Sequence, residues 1–154
     1  MSKQIINSVD DFLNLKGKVL GNSSWITVSQ DMINQFADTT LDYQWVHVDV
    51  EKAIKESPYQ TTIAHGYLTL ALLPHLLDDI VEVNNLKHLV NYGIDKMRYK
   101  NVVPAGSKIR LKATLDNAKD LGNVCKAFIN CVFEIEGEET PALEGNIVFI
   151  YYFN

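Results

Sequence analysis

The chain holds only two cysteines, Cys125 and Cys131, and no cysteine cluster of the metal-binding kind. The two lie in one alternating apolar stretch at an even spacing, so both point to the same face of a strand. At about 3.3 Å per residue they sit roughly 20 Å apart, whereas a disulfide needs Cα atoms within about 7 Å. Two buried, reduced thiols are expected. Positive charge is also in deficit: 14 Lys and Arg stand against 19 Asp and Glu, a formal net charge of −5. That balance argues against nucleic-acid binding, which needs clustered cations facing phosphates. No apolar run nears the ~20 residues that span a bilayer, and the strongest, Tyr67 to Ile80, is interrupted by Pro74 and His75. The first ten residues lack a basic region followed by an apolar one, so the expected location is the cytoplasm. There are no internal repeats, no low-complexity linker, and no phosphate-loop, dinucleotide, nucleophile-elbow or zinc-protease signature. His75 and His88 lack partners at metal-ligand spacing, and no metal site is expected.

What is present is apolar patterning of two kinds. A hydrophobic content of 47% in 154 residues suits one domain with a sizeable core, spanning 1–154 with 1–22 as a lead-in segment. Ser8 caps a short helix over 8–15, and Gly17 and Gly21 mark a turn region. Ser24 to Ser29 is a short β-type run. Ser29 also caps a helix with Met32, Phe36 and Ala37 at helical spacing. Residues 39–64 have no sustained period beyond a helical patch near Val50 to Lys55. From His65 the chain turns helical and apolar on almost every side, the mark of a buried helix; Pro74 inside it should bend or locally unwind it. Long alternating runs follow, roughly His88 to Val103, Lys108 to Lys119, Asn123 to Glu136 and Pro141 to Phe153, with Gly- and Pro-bearing turns between them. Four such strands predict an antiparallel sheet, and their length a curved one. The simplest packing is an α+β fold with the sheet wrapped around the single helix, its open edge covered by self-association.

The irregular stretch before that helix carries the chemistry. Asp42 and His47 offer a carboxylate and an imidazole able to share one water, as acid and base. Alone the pair is weak, because such spacings usually mean a turn cap and a surface side chain. Gly66 opens the helix, where free amides and the dipole favour an anion and a glycine allows close approach; together these fit an oxyanion site. Read alone, a flexible helix start is the simpler meaning. His65 is placed to hold a backbone carbonyl and orient the loop. Gln44 is placed to hold the loop or touch a ligand, Trp45 to anchor it, and Tyr43 and Tyr59 to line a pocket. Lys96, Arg98 and Lys100 alternate, as do Lys108 and Arg110; a solvated sheet face explains them better than phosphate binding.

In order, Phe36-Ala-Asp-Thr-Thr-Leu-Asp42-Tyr-Gln-Trp-Val-His47-Val-Asp and Thr62-Ile-Ala-His-Gly-Tyr-Leu-Thr-Leu resemble the MaoC-like hydratase family, in the branch named after nodulation protein N. Asn91 to Tyr99 and Val103 to Arg110 are similar to that branch's strands after the helix. The resemblance covers roughly residues 25 to 150. It implies a hotdog fold, a dimer with adjoining sheets, and (R)-specific hydration of trans-2-enoyl-CoA thioesters without a further cofactor. By position, Asp42 and His47 become the acid/base pair and the Gly66 amide the oxyanion donor; Gln44, Tyr43, Tyr59 and His65 remain candidates for substrate contact. The substrate would be an acyl-CoA or acyl-carrier thioester. The chain departs from the family pattern at Leu41 (usually glycine), Gln44-Trp45 (Asn-Pro), Gln60-Thr61 (small glycines) and Pro74 (a helix serine). Leu41 and Pro74 motivate a second reading, a non-catalytic acyl-thioester-binding hotdog protein. A hotdog thioesterase ranks last, because the Tyr67 to Leu77 stretch has no carboxylate.

Overall fold

The structure, a computed structural model, describes residues 3–154. The lead-in segment is itself structured. Strand β1 (Gln4–Ile6) precedes helix α1 (Val9–Asn14), whose N-cap Ser8 accepts from the Asp11 amide, and strand β2 (Lys18–Asn22) follows. Phe12 from α1 is buried and packs on Tyr151 at 4.6 Å between ring centroids. β2 pairs with the main sheet where the sequence pattern suggested only a turn region.

A two-residue strand β3 (Ile26–Thr27) leads into helix α2 (Gln30–Thr40). Ser29 caps α2 through the Met32 amide, and Ile33 and Ala37 are buried beneath it. Two short helices follow, α3 (Trp45–Val48) and α4 (Val50–Glu56). The apolar helix expected from His65 onward is split into α5 (Gly66–Ala71) and α6 (Leu73–Asp78), parted at Leu72. The cause is Pro74, which has no N–H for the Leu70 carbonyl. Burial is also one-sided: Leu68, Leu73, Leu76 and Leu77 enter the core, while Tyr67, Ala71, Pro74 and His75 stay exposed. β4 (Val81–Val83) then pairs in parallel with β1.

The four long strands are β5 (Leu86–Tyr99), β6 (Lys108–Asp120), β7 (Val124–Ile135) and β8 (Leu143–Phe153). They form an antiparallel sheet ordered β2-β6-β7-β8-β5, with β3 also on β6. β7 alternates buried and half-buried residues along its whole length, as a strand packed on one face should. Cys125 and Cys131 both fall on its buried side and are free thiols. Burial pushes each thiol up to about 12, which makes them poor nucleophiles. On the outer face Arg110 meets Glu134 at 2.6 Å and Lys108 meets Glu136 at 3.5 Å, the solvated charged face that the alternation predicted.

β5 differs from the rest. It is an edge strand exposed along most of its length, with Leu89, Val90, Tyr92 and Ile94 between 38% and 59% exposed. Between it and the exposed side of α5 and α6 runs an apolar groove of about 630 Å³. β5 also carries bulges. Lys96 and Met97 together oppose the single residue Gly145, where any Cβ would lie 2.6 Å from the Met97 Cα. Strict alternation of Lys96, Arg98 and Lys100 on one face is therefore broken at Lys96. Ile94 faces the helices, so simple counting would turn Tyr99 outward; the extra residue turns it back toward them, opposite Leu143.

Candidate active site

The segment between α2 and α5 carries the candidate residues. Leu41 ends α2 with φ 62° and ψ 25°, the left-handed conformation that glycine adopts freely. Leucine thus preserves the turn at the expense of some strain. Asp42 follows, half-exposed, and its carboxylate accepts from the Gln44 amide at 3.4 Å. One turn of helix, α3, then carries His47 inward to 8% exposure. The loop is fastened on two sides. Gln30 of α2 donates to the His47 carbonyl at 2.8 Å and accepts the Thr62 hydroxyl. The 62–64 segment bonds to Val46 on one side and to Val103 and Ala105 on the other.

Hydrogen bonding selects the His47 tautomer. Nδ1 lies 2.7 Å from the Ile63 carbonyl, which can only accept, so Nδ1 bears the proton and Nε2 keeps a free lone pair. The imidazole is held below its ordinary value of 6.5, chiefly by burial; the Ile63 bond opposes this, the His65 ring adds to it, and the Asp42 charge opposes it. A neutral ring with a free Nε2 is the form a general base requires. Asp42, His47 and His65 also form a group whose donor atoms lie within 4.8 Å of one another, a spacing that could hold a cation. One nitrogen on each of the two rings is already bonded to a carbonyl.

Beside His47 is a cavity of about 240 Å³, lined by His47, Ile63, Ala64, Gly66, Thr69 and Tyr99, with Asn101 to Val103, Ala142 and Leu143 behind. The fold thus gathers Asp42, His47 and His65, with Gly66 next to His65 in the chain; His47 and Gly66 line this cavity, whereas Asp42, Gln44, Tyr43, Tyr59 and His65 do not. Tyr43 and Tyr59 are exposed at 53% and 45%. The glycine at 66 has a specific steric reason: a Cβ there would meet the Tyr99 ring at 2.7 Å. Thr69 and Tyr99 were not singled out from the sequence. Thr69 could have been, as the one polar residue between Tyr67 and Pro74; Tyr99 could not, because only the bulge turns it inward. Pro74 lines the other groove rather than this cavity.

Residues 11–130 match the MaoC like domain. The chain belongs to the MaoC-like family. It is 41% identical over 145 residues to 3-hydroxyacyl-thioester dehydratase Z of Mycobacterium tuberculosis, covering 94% of this chain and 95% of that one. Nodulation protein N of Rhizobium meliloti is 39% identical over 149 residues, covering 96% and 92%. Among solved structures, an unliganded R-hydratase of Pseudomonas aeruginosa superposes with a TM-score of 0.73 at 16% identity, over 90% of this chain and 83% of that one. The fold is the hotdog of MaoC-like dehydratases, α+β, with the curved sheet around the split helix.

Proposed function

We propose that the protein adds water reversibly to a trans-2-enoyl thioester, giving the (R)-3-hydroxyacyl thioester. The observation that carries this is the locked His47 tautomer, with a free Nε2, on a ring that lines a cavity and has a nitrogen within 4.8 Å of the Asp42 carboxylate. One water sits between the two side chains. As its oxygen bonds to C3 of the enoyl group, His47 Nε2 accepts a proton. The C2=C3 π electrons move toward the thioester carbonyl, and the Gly66 amide at the start of α5 stabilises the enolate-like oxygen. The pair then returns one proton to C2, so that H and OH have been added and both side chains are regenerated. The apolar cavity behind Gly66 takes the acyl chain. The carrier is coenzyme A or an acyl carrier, and no other cofactor enters this scheme. A dimer formed across β5 would cover the exposed apolar strand and the groove beside it.

A panel of enoyl-CoA thioesters beginning with crotonyl-CoA tests the reading. Turnover by the wild-type protein and its loss in Asp42→Asn and His47→Ala are expected. Tight acyl-CoA binding with no turnover at any chain length would instead favour a binding protein on the same fold.

A further inference from the structure

Asp42 lies on a loop and His47 on the single-turn helix α3 that follows, yet chemistry needs them held to within a fraction of an ångström. What holds them relative to each other is a third residue. We propose that His65 is the positioning residue of the site, tying the Asp42 main chain and the His47 ring to the start of α5. The inference rests on the reading of Asp42 and His47 given above.

His65 is 2% exposed and stands just before α5. Its Nε2 lies 3.0 Å from the carbonyl oxygen of Asp42, twenty-three residues earlier in the chain. A carbonyl only accepts, so Nε2 carries the proton and donates. Nδ1 is then a bare lone pair, buried and without a partner. A ring so placed has no free donor to offer a substrate. The same Nε2 stands 4.0 Å from the Asp42 carboxylate, and the ring's faces make further contacts. The His47 and His65 rings stack at 3.9 Å between centroids, 27° from parallel, and Phe36 of α2 packs against His65 at 5.0 Å.

The stack supplies what the hydrogen bond to Ile63 lacks. An imidazole's outer torsion is broad, so one bond at Nδ1 leaves the ring free to swing about that contact. A flat neighbour on its face removes that freedom and aims Nε2. His65 thus fixes one partner by its edge and the other by its face. Asp42 and His47 are set relative to a single rigid point, although only one turn of helix, α3, stands between them.

Three variants of the full chain separate edge from face. A glutamine places its amide nitrogen near the position of Nε2, an asparagine does not reach it, and a phenylalanine keeps the flat ring but donates nothing. His65→Asn and His65→Phe should lower kcat by about 10-fold to 100-fold, the scale of a misplaced catalytic group, with KM little changed. His65→Gln, which keeps the donor but not the flat ring, should recover part of the loss and stand between His65→Asn and wild type. Hydrogen exchange over residues 41–47 should quicken in the first two variants and stay near wild type in the third. In the wild-type protein, imidazole nitrogen NMR should find the proton on Nε2 of His65 and on Nδ1 of His47. That spectrum decides the matter even where a variant does not fold: a proton on Nδ1 of His65 overturns the proposal. So would wild-type kcat and exchange in the Asn and Phe variants, or equal losses in Gln and Asn. If the wild-type protein hydrates no enoyl thioester, the functional reading fails by itself, and the exchange and NMR results still decide whether His65 orders the loop.

Discussion

Leu41 is three-quarters exposed in a backbone conformation that costs a side chain roughly 1 kcal/mol. Because it buries little, Leu41→Gly should raise stability by up to about 1 kcal/mol in urea unfolding, the relief of strain outweighing glycine's entropic cost. A loss of stability would mean that the leucine side chain has a partner. The protonation of His47 gives a second check. Its folded value is lowered from 6.5, so the unfolded chain binds a proton first as pH falls. The stabilisation from this group is present above 6.5 and is lost as pH falls from 6.5 toward the folded value. Activity that needs the neutral ring should persist below pH 6.5, and the acid limb of kcat/KM measures this directly. At this scale the sequence was informative wherever chemistry was local. Asp42, His47 and Gly66 lie within 25 residues of one another, and their types speak for themselves. His65 was legible as a residue that holds a backbone carbonyl, and its ring does lie 3.0 Å from that of Asp42; its stack on His47 and the wall formed by Tyr99 depend on contacts between distant segments, which no local pattern encodes.

The elements divide along the same line. Caps at Ser8 and Ser29, the interruption at Pro74 and the four long strands all arise from neighbours in sequence, and all were legible. The bulge in β5 was not, because it depends on what stands across the ladder. Gly145 of β8 leaves room for two residues, Lys96 and Met97, and so turns Tyr99 onto Gly66. Gly145→Ala would drive a Cβ into backbone that cannot yield. A destabilisation of about 1–3 kcal/mol is expected, as for other overpacked positions. Activity should fall further than stability alone explains, since Tyr99 lines the cavity. A variant with wild-type stability and rate would show that the bulge does not aim Tyr99. β1, β2 and β4, only 3 to 5 residues each, escaped the pattern because such short segments hold too few alternations to register.

For the whole molecule, the hotdog sheet leaves β5 and one face of α5 and α6 uncovered. The sequence suggested a helix buried nearly all round, and within one chain it is not. The proposed dimer reconciles the two. Ile94, 59% exposed on that strand, is the probe: Ile94→Lys should shift sedimentation from dimer to monomer and lower Tm, whereas an unchanged dimer would place the interface elsewhere. No helix among the described residues is long and apolar enough to cross a membrane. The central claim is that Asp42 and His47 jointly handle one water. It is tested most directly by the initial rate of crotonyl-CoA hydration in wild type, Asp42→Asn and His47→Ala, with folding of each confirmed. The account predicts a fall of roughly 10²-fold to 10⁴-fold in kcat for each variant, the usual contribution of a positioned acid or base; equal rates in all three proteins would contradict it.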